Sequence, residues 1–204
     1  KGKDKVMKKF SLIVLCCLVA ACSTSPKVDN YILYAYQADD VKAVDASSPK
    51  VFLKSLIFPA YLDRPQMVVR RDKVKLDIQE FKRWAEPLKS SFLRVFKQGM
   101  QNHGVKVTNN KQFRKQNFDY QLSLEVLHFE VNGKKKADLT VKWTLLNRDS
   151  KRILASNREE LTVAIVGHNF SAKISAQSKA VERLCARLAI QIYDQHNQVG
   201  IVLK

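Results

Sequence analysis

The chain has 204 residues, 46% hydrophobic and 27% charged, which supplies one packed domain and excludes two comfortable ones. Its 36 basic and 19 acidic residues leave a formal charge of +17. A balance that basic matches an anionic membrane surface or an acidic protein partner, or serves solubility alone.

Met7 is the first methionine and is followed by Lys8, Lys9 and an apolar run over residues 10–21, so residues 1–6 are read as upstream of the start. The run falls short of the roughly 20 apolar residues a spanning helix needs. Its charged flank and small-residue exit mark a secretory signal over residues 1–21. The exit, Leu18-Val19-Ala20-Ala21-Cys22, resembles the lipobox of bacterial lipoproteins, against the alternative of an ordinary signal with a chance cysteine. That resemblance implies a covalent lipid on Cys22 (diacylglyceryl, palmitate), cleavage in front of it, and a periplasmic domain held by its anchor. Ser23, where an enteric inner-membrane lipoprotein has Asp, favours the outer membrane by the same resemblance. Removal of the leader leaves 31 basic and 18 acidic residues, a net +13. In an exported lipoprotein such charge points to membrane or protein and not to nucleic acid.

Of the four cysteines, Cys16 and Cys17 leave with the signal and Cys22 carries lipid, so Cys185 stands alone and no intramolecular disulfide forms. Cys185 shares a helical stripe with Val181, Leu184, Leu188 and Ile192, which reads as a buried, inert thiol and not a nucleophile.

Residues 22–30 are the lipidated cysteine and a polar tether, and residues 31–204 the domain. The stretch after Cys22, residues 23–30, reaches at most ~28 Å when extended, so the body stays near its membrane. Tyr31 to Tyr36 predicts a first strand, residues 37–49 a loop, and residues 51–58 a strand near the middle of a sheet. Pro59 and Pro65 each lack an amide hydrogen and restrict the residue before them, so they bracket an irregular connection over residues 60–64. Val74, Leu76 and Ile78 alternate with Lys73, Lys75 and Asp77, predicting a strand with one buried face. Glu86 and Pro87 suit the first turn of a helix, where a carboxylate meets the positive dipole end. Leu88, Phe92, Val95, Phe96 and Met100 form its buried stripe, and Gly104 stops it. A short strand over 105–108 and a polar connection over 109–117 follow.

Tyr120, Leu122, Leu124 and Val126 hold one face of a long strand and Leu127, Phe129 and Val131 the other phase, which predicts a bulge near Val126. Asn132-Gly133 turns the chain, extended by Lys134, Lys135 and Lys136. Ala137, Leu139, Val141, Trp143 and Leu145 then form the hairpin partner. A weak segment over 152–160 leads to a strand around Leu161, Val163 and Ile165, closed by Gly167. The last helix is expected over 171–195, with Ile174, Val181, Leu184, Leu188 and Ile192 inward, followed by a terminal strand or apolar cover over 199–203. The order predicts a single layered α/β domain, a mixed β-sheet with two amphipathic helices packed on it. Strand order stays open.

Two motifs stand in the middle of the chain, YLDRPQMVVR at 61–70 and, after one strand, RWAEPL at 83–88. Together they resemble the signature of the PqiC/YmbA family of ABC-type transport auxiliary lipoproteins. The resemblance implies an α/β layered domain and a non-enzymatic component of intermembrane phospholipid transport. Such a protein works at the periplasmic face of the outer membrane beside an MCE-domain partner that bridges the two membranes. A lipid-binding carrier that encloses an acyl chain between sheet and helices is the alternative. Homo-oligomerisation stays open.

Within the motifs, Pro59, Tyr61, Leu62, Asp63, Pro65, Gln66, Trp84, Ala85, Glu86, Pro87 and Leu88 are read as structural: Asp63 as a turn residue, Glu86 as a helix-start residue, Trp84 as a core lid. Arg64, Arg70 and Arg83, with Arg71, are the candidates for gripping a partner's carboxylates or lipid phosphates, against a merely solvated face. GxSxG, HExxH and CxxC patterns and a glycine-rich phosphate loop are absent. His103, His128, His168 and His196 lie at no ligand spacing, so neither metal nor cofactor is expected beyond the lipid on Cys22.

Overall fold

The structure is a computed structural model that describes residues 26–36, 41–110, 118–133 and 135–202. The leader, Cys22 and Lys134 lie outside the described residues, as do most of the polar connection before residue 118 and Leu203 of the expected terminal segment. The strands are β1 Asp29–Tyr31, β2 Lys50–Ile57, β3 Gln66–Arg70, β4 Leu76–Trp84, β5 Lys106–Thr108, β6 Tyr120–Asn132, β7 Lys136–Asn147 and β8 Ile153–Ala164. The helices are α1 Leu88–Asn102 and α2 Phe170–Val202. Among the described residues the strands form one mixed eight-stranded sheet in which β1, β4, β3, β6, β2 and β5 succeed one another, while β7 and β8 extend from β6.

β6 organises this sheet because its two edges are used differently. One edge pairs antiparallel with β7 along its whole length. The other is shared end to end: β2 lies parallel to Tyr120–Glu125, and β3 parallel to Val131 and Asn132. The segment between β2 and β3 is therefore an excursion out of a single edge. Pro59 and Pro65 bracket it as expected, and a short 3-10 turn, Ala60–Leu62, lies within it. The predicted bulge is present between Val126 and His128. It returns Phe129 and Val131 to the core after the phase change.

The core lies between the sheet and the two helices. Phe92, Val95, Phe96 and Met100 of α1 and Ile174, Val181, Leu184, Leu188 and Ile192 of α2 are buried in one cluster with the alternating side chains of β6 and β7. Each such side chain contributes about 1.5–3 kcal/mol on burial. Phe92 meets Phe129 edge-on at 5.5 Å and Phe58, from the excursion, at 5.2 Å. The helices come together at Gly99, where a Cβ would lie 2.7 Å from Cys185 Sγ. Gly104, at φ +76°, ends α1.

Five expectations need correction. The first strand is only Asp29–Tyr31, at the sheet edge. Beyond it, Leu33 and Tyr34 donate their amides to the hydroxyls of Ser91 and Ser178 on the helices, which replace the acceptors of a ladder. Val74 is 93% exposed in a turn, and Ile78 is also exposed. Asp72 Oδ1 accepts the amides of Val74 and Lys75, an Asx turn into which the alternating pattern misleadingly ran, and the strand is Leu76–Trp84. Pro87 is the cap of α1 and not its first turn, so Glu86 stands outside the helix. The weak segment before Leu161 belongs to β8, an edge strand whose outer face is wet. Finally, α2 runs on to Val202.

Candidate functional site

The first motif folds around a buried carboxylate that its own sequence does not contain. Glu130, on β6 just past the bulge, is 2% exposed. Tyr61 donates to Glu130 Oε2 at 3.0 Å, and Arg70 Nε donates to Oε1 at 2.5 Å. The amide of Phe129 donates to Oε2 at 2.7 Å, and His128 Nδ1 stands 3.4 Å from Oε1. The Arg70 guanidinium also lies 5.9 Å from the Tyr61 ring centre. Burial, and after it the neighbouring Glu130 carboxylate, pushes the Tyr61 hydroxyl up to about 12, so it remains a donor. The excursion is thus pinned to β6 through Tyr61, and the strand that follows it, β3, through Arg70 at its far end.

The second motif is tied to the first. Trp84 is 7% exposed, and its amide donates to Pro65 O at 2.7 Å. The following amide, of Ala85, donates to Tyr31 O at 2.8 Å. Arg94 reaches back from α1 to Glu86 at 2.7 Å and also donates to Leu33 O and Ser91 Oγ. Hydrogen bonding from Arg94, then from Ser91, holds the Glu86 carboxyl below the usual carboxylate range. Leu88 is buried and Pro87 O accepts the amides of Ser90 and Ser91, so the helix start is fixed by backbone. Asp63 closes the 3-10 turn through its amide to Ala60 O. Gln66 pairs with Arg83 across β3 and β4.

The three arginines read as contacts have different surroundings. Arg70 is committed to Glu130. Arg64 is half-buried, with Nε enclosed and without a hydrogen-bond partner among the described residues, and Arg83 Nε donates to Glu80 O. Arg64 and Arg83 lie toward the Gln66 end of β3 and Arg70 at the other, about 13 Å apart along the strand. The arrangement brings together a clamp, Tyr61, Arg70 and Glu130, and leaves Arg64 and Arg83 at its far side. Sequence reasoning missed Glu130. Its signal is faint, an acid between the two core residues Phe129 and Val131 in a strand that also carries Gln121, Ser123, Glu125 and His128.

The Glu130 carboxylate is already occupied by internal donors, and the Tyr61 hydroxyl, pushed up to about 12, stays protonated. Cys185 is fully buried, which pushes its thiol well above the ordinary range. His196 lies 3.2 Å from the Tyr120 hydroxyl and 3.2 Å from Ser47 O. His103 lies 3.5 Å from Glu182, and His168 is exposed. Among the described residues no three His, Cys, Asp or Glu side chains converge as metal ligands, and no helix is long and apolar enough to cross a membrane.

These features define a single mixed α/β domain whose distinctive residues brace one another. The chain belongs to the family of ABC-type transport auxiliary lipoprotein components, whose profile matches residues 31–189. The resemblance carried by the two motifs is borne out at that level. The fold is shared with the crystal structure of an uncharacterized protein at TM-score 0.68 and 14% identity, covering 82% of this chain and 99% of that one. It is shared also with protein XCC0632 from Xanthomonas campestris at TM-score 0.60 and 17% identity, covering 84% and 99%. At such identities the likeness is one of fold. No curated protein matches the chain significantly.

Proposed function

We propose that the protein is an outer-membrane-anchored periplasmic lipoprotein that serves, without catalysis, as the docking point of an intermembrane phospholipid transport system and engages an MCE-domain partner. The observation that carries this reading is the family match, which begins at Tyr31, a short tether after Cys22. The mechanism is positional. Lipid on Cys22 holds the domain at the membrane, the tether keeps it within at most ~28 Å, and the partner's local concentration there rises. Arg64 and Arg83 remain the residues offered to the partner, because Arg70 is spent on Glu130. A lipid carrier would need open apolar space between sheet and helices. That space holds fully buried Phe92, Phe96, Phe129, Met100, Leu122 and Leu184, which counts against the alternative.

The test is a pull-down from detergent-solubilised envelope with the full-length lipoprotein, the co-purifying proteins being identified by mass spectrometry. An MCE-domain protein should be enriched with wild type, and Cys22→Ala should lose acylation and leave the membrane fraction. Unmodified Cys22 in native protein would end the anchor reading. Recovery of no envelope transport protein would end the docking reading.

A further inference from the structure

At one end of the sheet two hairpin tips and a loop are joined. The β3–β4 tip is tied to the β6–β7 tip by the amide of Gly133, which donates to Arg70 O at 2.9 Å. The contact is tight, since a Cβ on Gly133 would lie 3.2 Å from Arg71 O. The loop leading from β8 to α2 joins them, Ile165 donating its amide to Lys135 O at 2.9 Å. This end carries two almost fully exposed apolar side chains, Val74 at 93% and Val166 at 90%. Lys73, Lys75, Lys135 and Lys136 surround them, all exposed and without an ion pair among the described residues.

The acids at the same end are occupied. Asp72 caps its own turn, Asp77 pairs with Arg71 at 2.7 Å, and Asp138 accepts from Thr162 and Asn132. Five cations, Arg71, Lys73, Lys75, Lys135 and Lys136, stand against three carboxylates, Asp72, Asp77 and Asp138, so the end is positive with an apolar point. Scattered exposed valines need no explanation. Two at one rigid end, ringed by unpaired lysines, have the composition of a membrane-surface contact: the apolar groups enter the interface while the ammoniums meet anionic headgroups.

The direction of the tether supplies an independent argument. β4 leaves the tip at Leu76 and runs away from it to Trp84, and β1 lies parallel to β4 with Asp29 opposite Lys82. The chain consequently enters β1 at Asp29 from the side of the tip. The level of Asp29 stands about 13 Å from Arg70 along β3 at ~3.3 Å per residue, and the turn that carries Val74 adds up to ~7 Å, for about 20 Å in all. From Cys22 to Asp29 the extended chain spans at most ~24 Å, enough to place the lipid at the level of Val74 and Val166.

We infer that this basic tip, Lys73-Val74-Lys75 with Lys135, Lys136 and Val166, is seated on the anionic headgroups of the bilayer that holds Cys22. The domain is thereby oriented with β1, β3 and β6 rising from the membrane, and the Gln66 end of β3, with Arg64 and Arg83, presented away from it. This rests on the reading of Cys22 as the anchor.

The experiment uses lipidated full-length protein reconstituted into vesicles of phosphatidylethanolamine with phosphatidylglycerol, or of phosphatidylcholine alone. Val74→Cys, Val166→Cys and, at the opposite end of the sheet, Arg152→Cys are each labelled with bimane, Cys185 being buried. Nitroxide carried on lipid should quench fluorescence at positions 74 and 166 in the anionic vesicles and leave position 152 bright. The quadruple change Lys73→Glu, Lys75→Glu, Lys135→Glu, Lys136→Glu should abolish that quenching. Flotation of the same samples reports the anchor separately. Protein that floats with positions 74 and 166 unquenched overturns the tip assignment and leaves the anchor intact, whereas protein that does not float removes the anchor and the assignment with it. Equal quenching on phosphatidylcholine overturns the role of the lysines. Quenching at position 152 overturns the orientation. Labels that change only on adding an acidic envelope protein put a protein at the tip and overturn the proposal.

Discussion

Tyr61 and Glu130 stand 69 residues apart in sequence and share a hydrogen bond of 3.0 Å. That bond closes the excursion between β2 and β3 onto the strand both of them flank, and Arg70 completes it. Because Glu130 is buried, removing it takes the acceptor from three donors, the Tyr61 hydroxyl, the Arg70 guanidinium and the Phe129 amide. Glu130→Ala should lower stability by about 3 kcal/mol, and Tyr61→Phe, which deletes one hydrogen bond, by about 1 kcal/mol. Urea unfolding checks both, as a lower midpoint at unchanged slope. A midpoint unmoved in Glu130→Ala would show that the clamp is idle. Tyr61 also predicts an alkaline limit. Its folded-state value lies above its unfolded one, so its contribution is present below about 10 and is lost as the pH rises through about 12. Tyr61→Phe should flatten that limb.

The contact of Gly99 with Cys185 gives a second test. A methyl group on Gly99 would sit 2.7 Å from Cys185 Sγ, inside any packing distance. Gly99→Ala should therefore cost about 1–3 kcal/mol through overpacking, in spite of alanine's better helix propensity. Cys185→Ala vacates the space, so the double variant should recover most of the loss. A double-mutant cycle reads the coupling. Additive effects would mean that the helices part here without strain.

Acid sensitivity follows from carboxylates held below their usual range. Glu86 is held there by Arg94 and Ser91, and Asp72 by the amides of Val74 and Lys75. Their folded-state values lie beneath the unfolded ones, so the unfolded chain takes up protons first as the pH falls. The stabilisation is complete above the unfolded carboxylate range of roughly 4–4.5 and is lost as the pH drops through the folded values. Stability should accordingly be level from neutral pH to about 5 and decline below about 4. Glu86→Gln should start lower at neutral pH and decline less steeply. An identical acid slope in that variant would take Glu86 out of the account.

The residues that could be read in advance are those whose neighbours lie close in sequence or on one periodic face. The buried stripe of α1, the inward set of β7, the bulge after Val126 and the proline brackets of the excursion all follow from local pattern. Strand order does not, since the sharing of one β6 edge by β2 and β3 depends on pairings between distant segments. Val74 misled because a turn can continue an alternating pattern without a strand beneath it. Glu130 was opaque for a different reason: what makes a buried acid tolerable is the pair of donors brought to it from 60 and 69 residues away. The same fact changes the reading of Arg70, whose guanidinium is turned inward while Arg64 and Arg83 are not so bound.

That difference separates stability from recognition among the motif arginines. Arg70→Ala breaks a pair with a buried carboxylate and should lower the urea midpoint, with any loss of partner binding following from misfolding. Arg64→Ala and Arg83→Ala remove no ion pair to a described residue, so their midpoints should stay near wild type. Under the docking proposal, their effect should instead be on affinity for the envelope protein that the pull-down recovers. If the planar guanidinium fork matters, Arg64→Lys and Arg83→Lys should also weaken binding at constant charge. Should diffuse charge alone matter, the lysine variants bind like wild type, and raised salt weakens every variant in proportion. Affinities measured alongside urea midpoints distinguish these cases. A double variant Arg64→Ala, Arg83→Ala that is folded and binds with wild-type affinity would remove the Gln66 end of β3 from the docking surface.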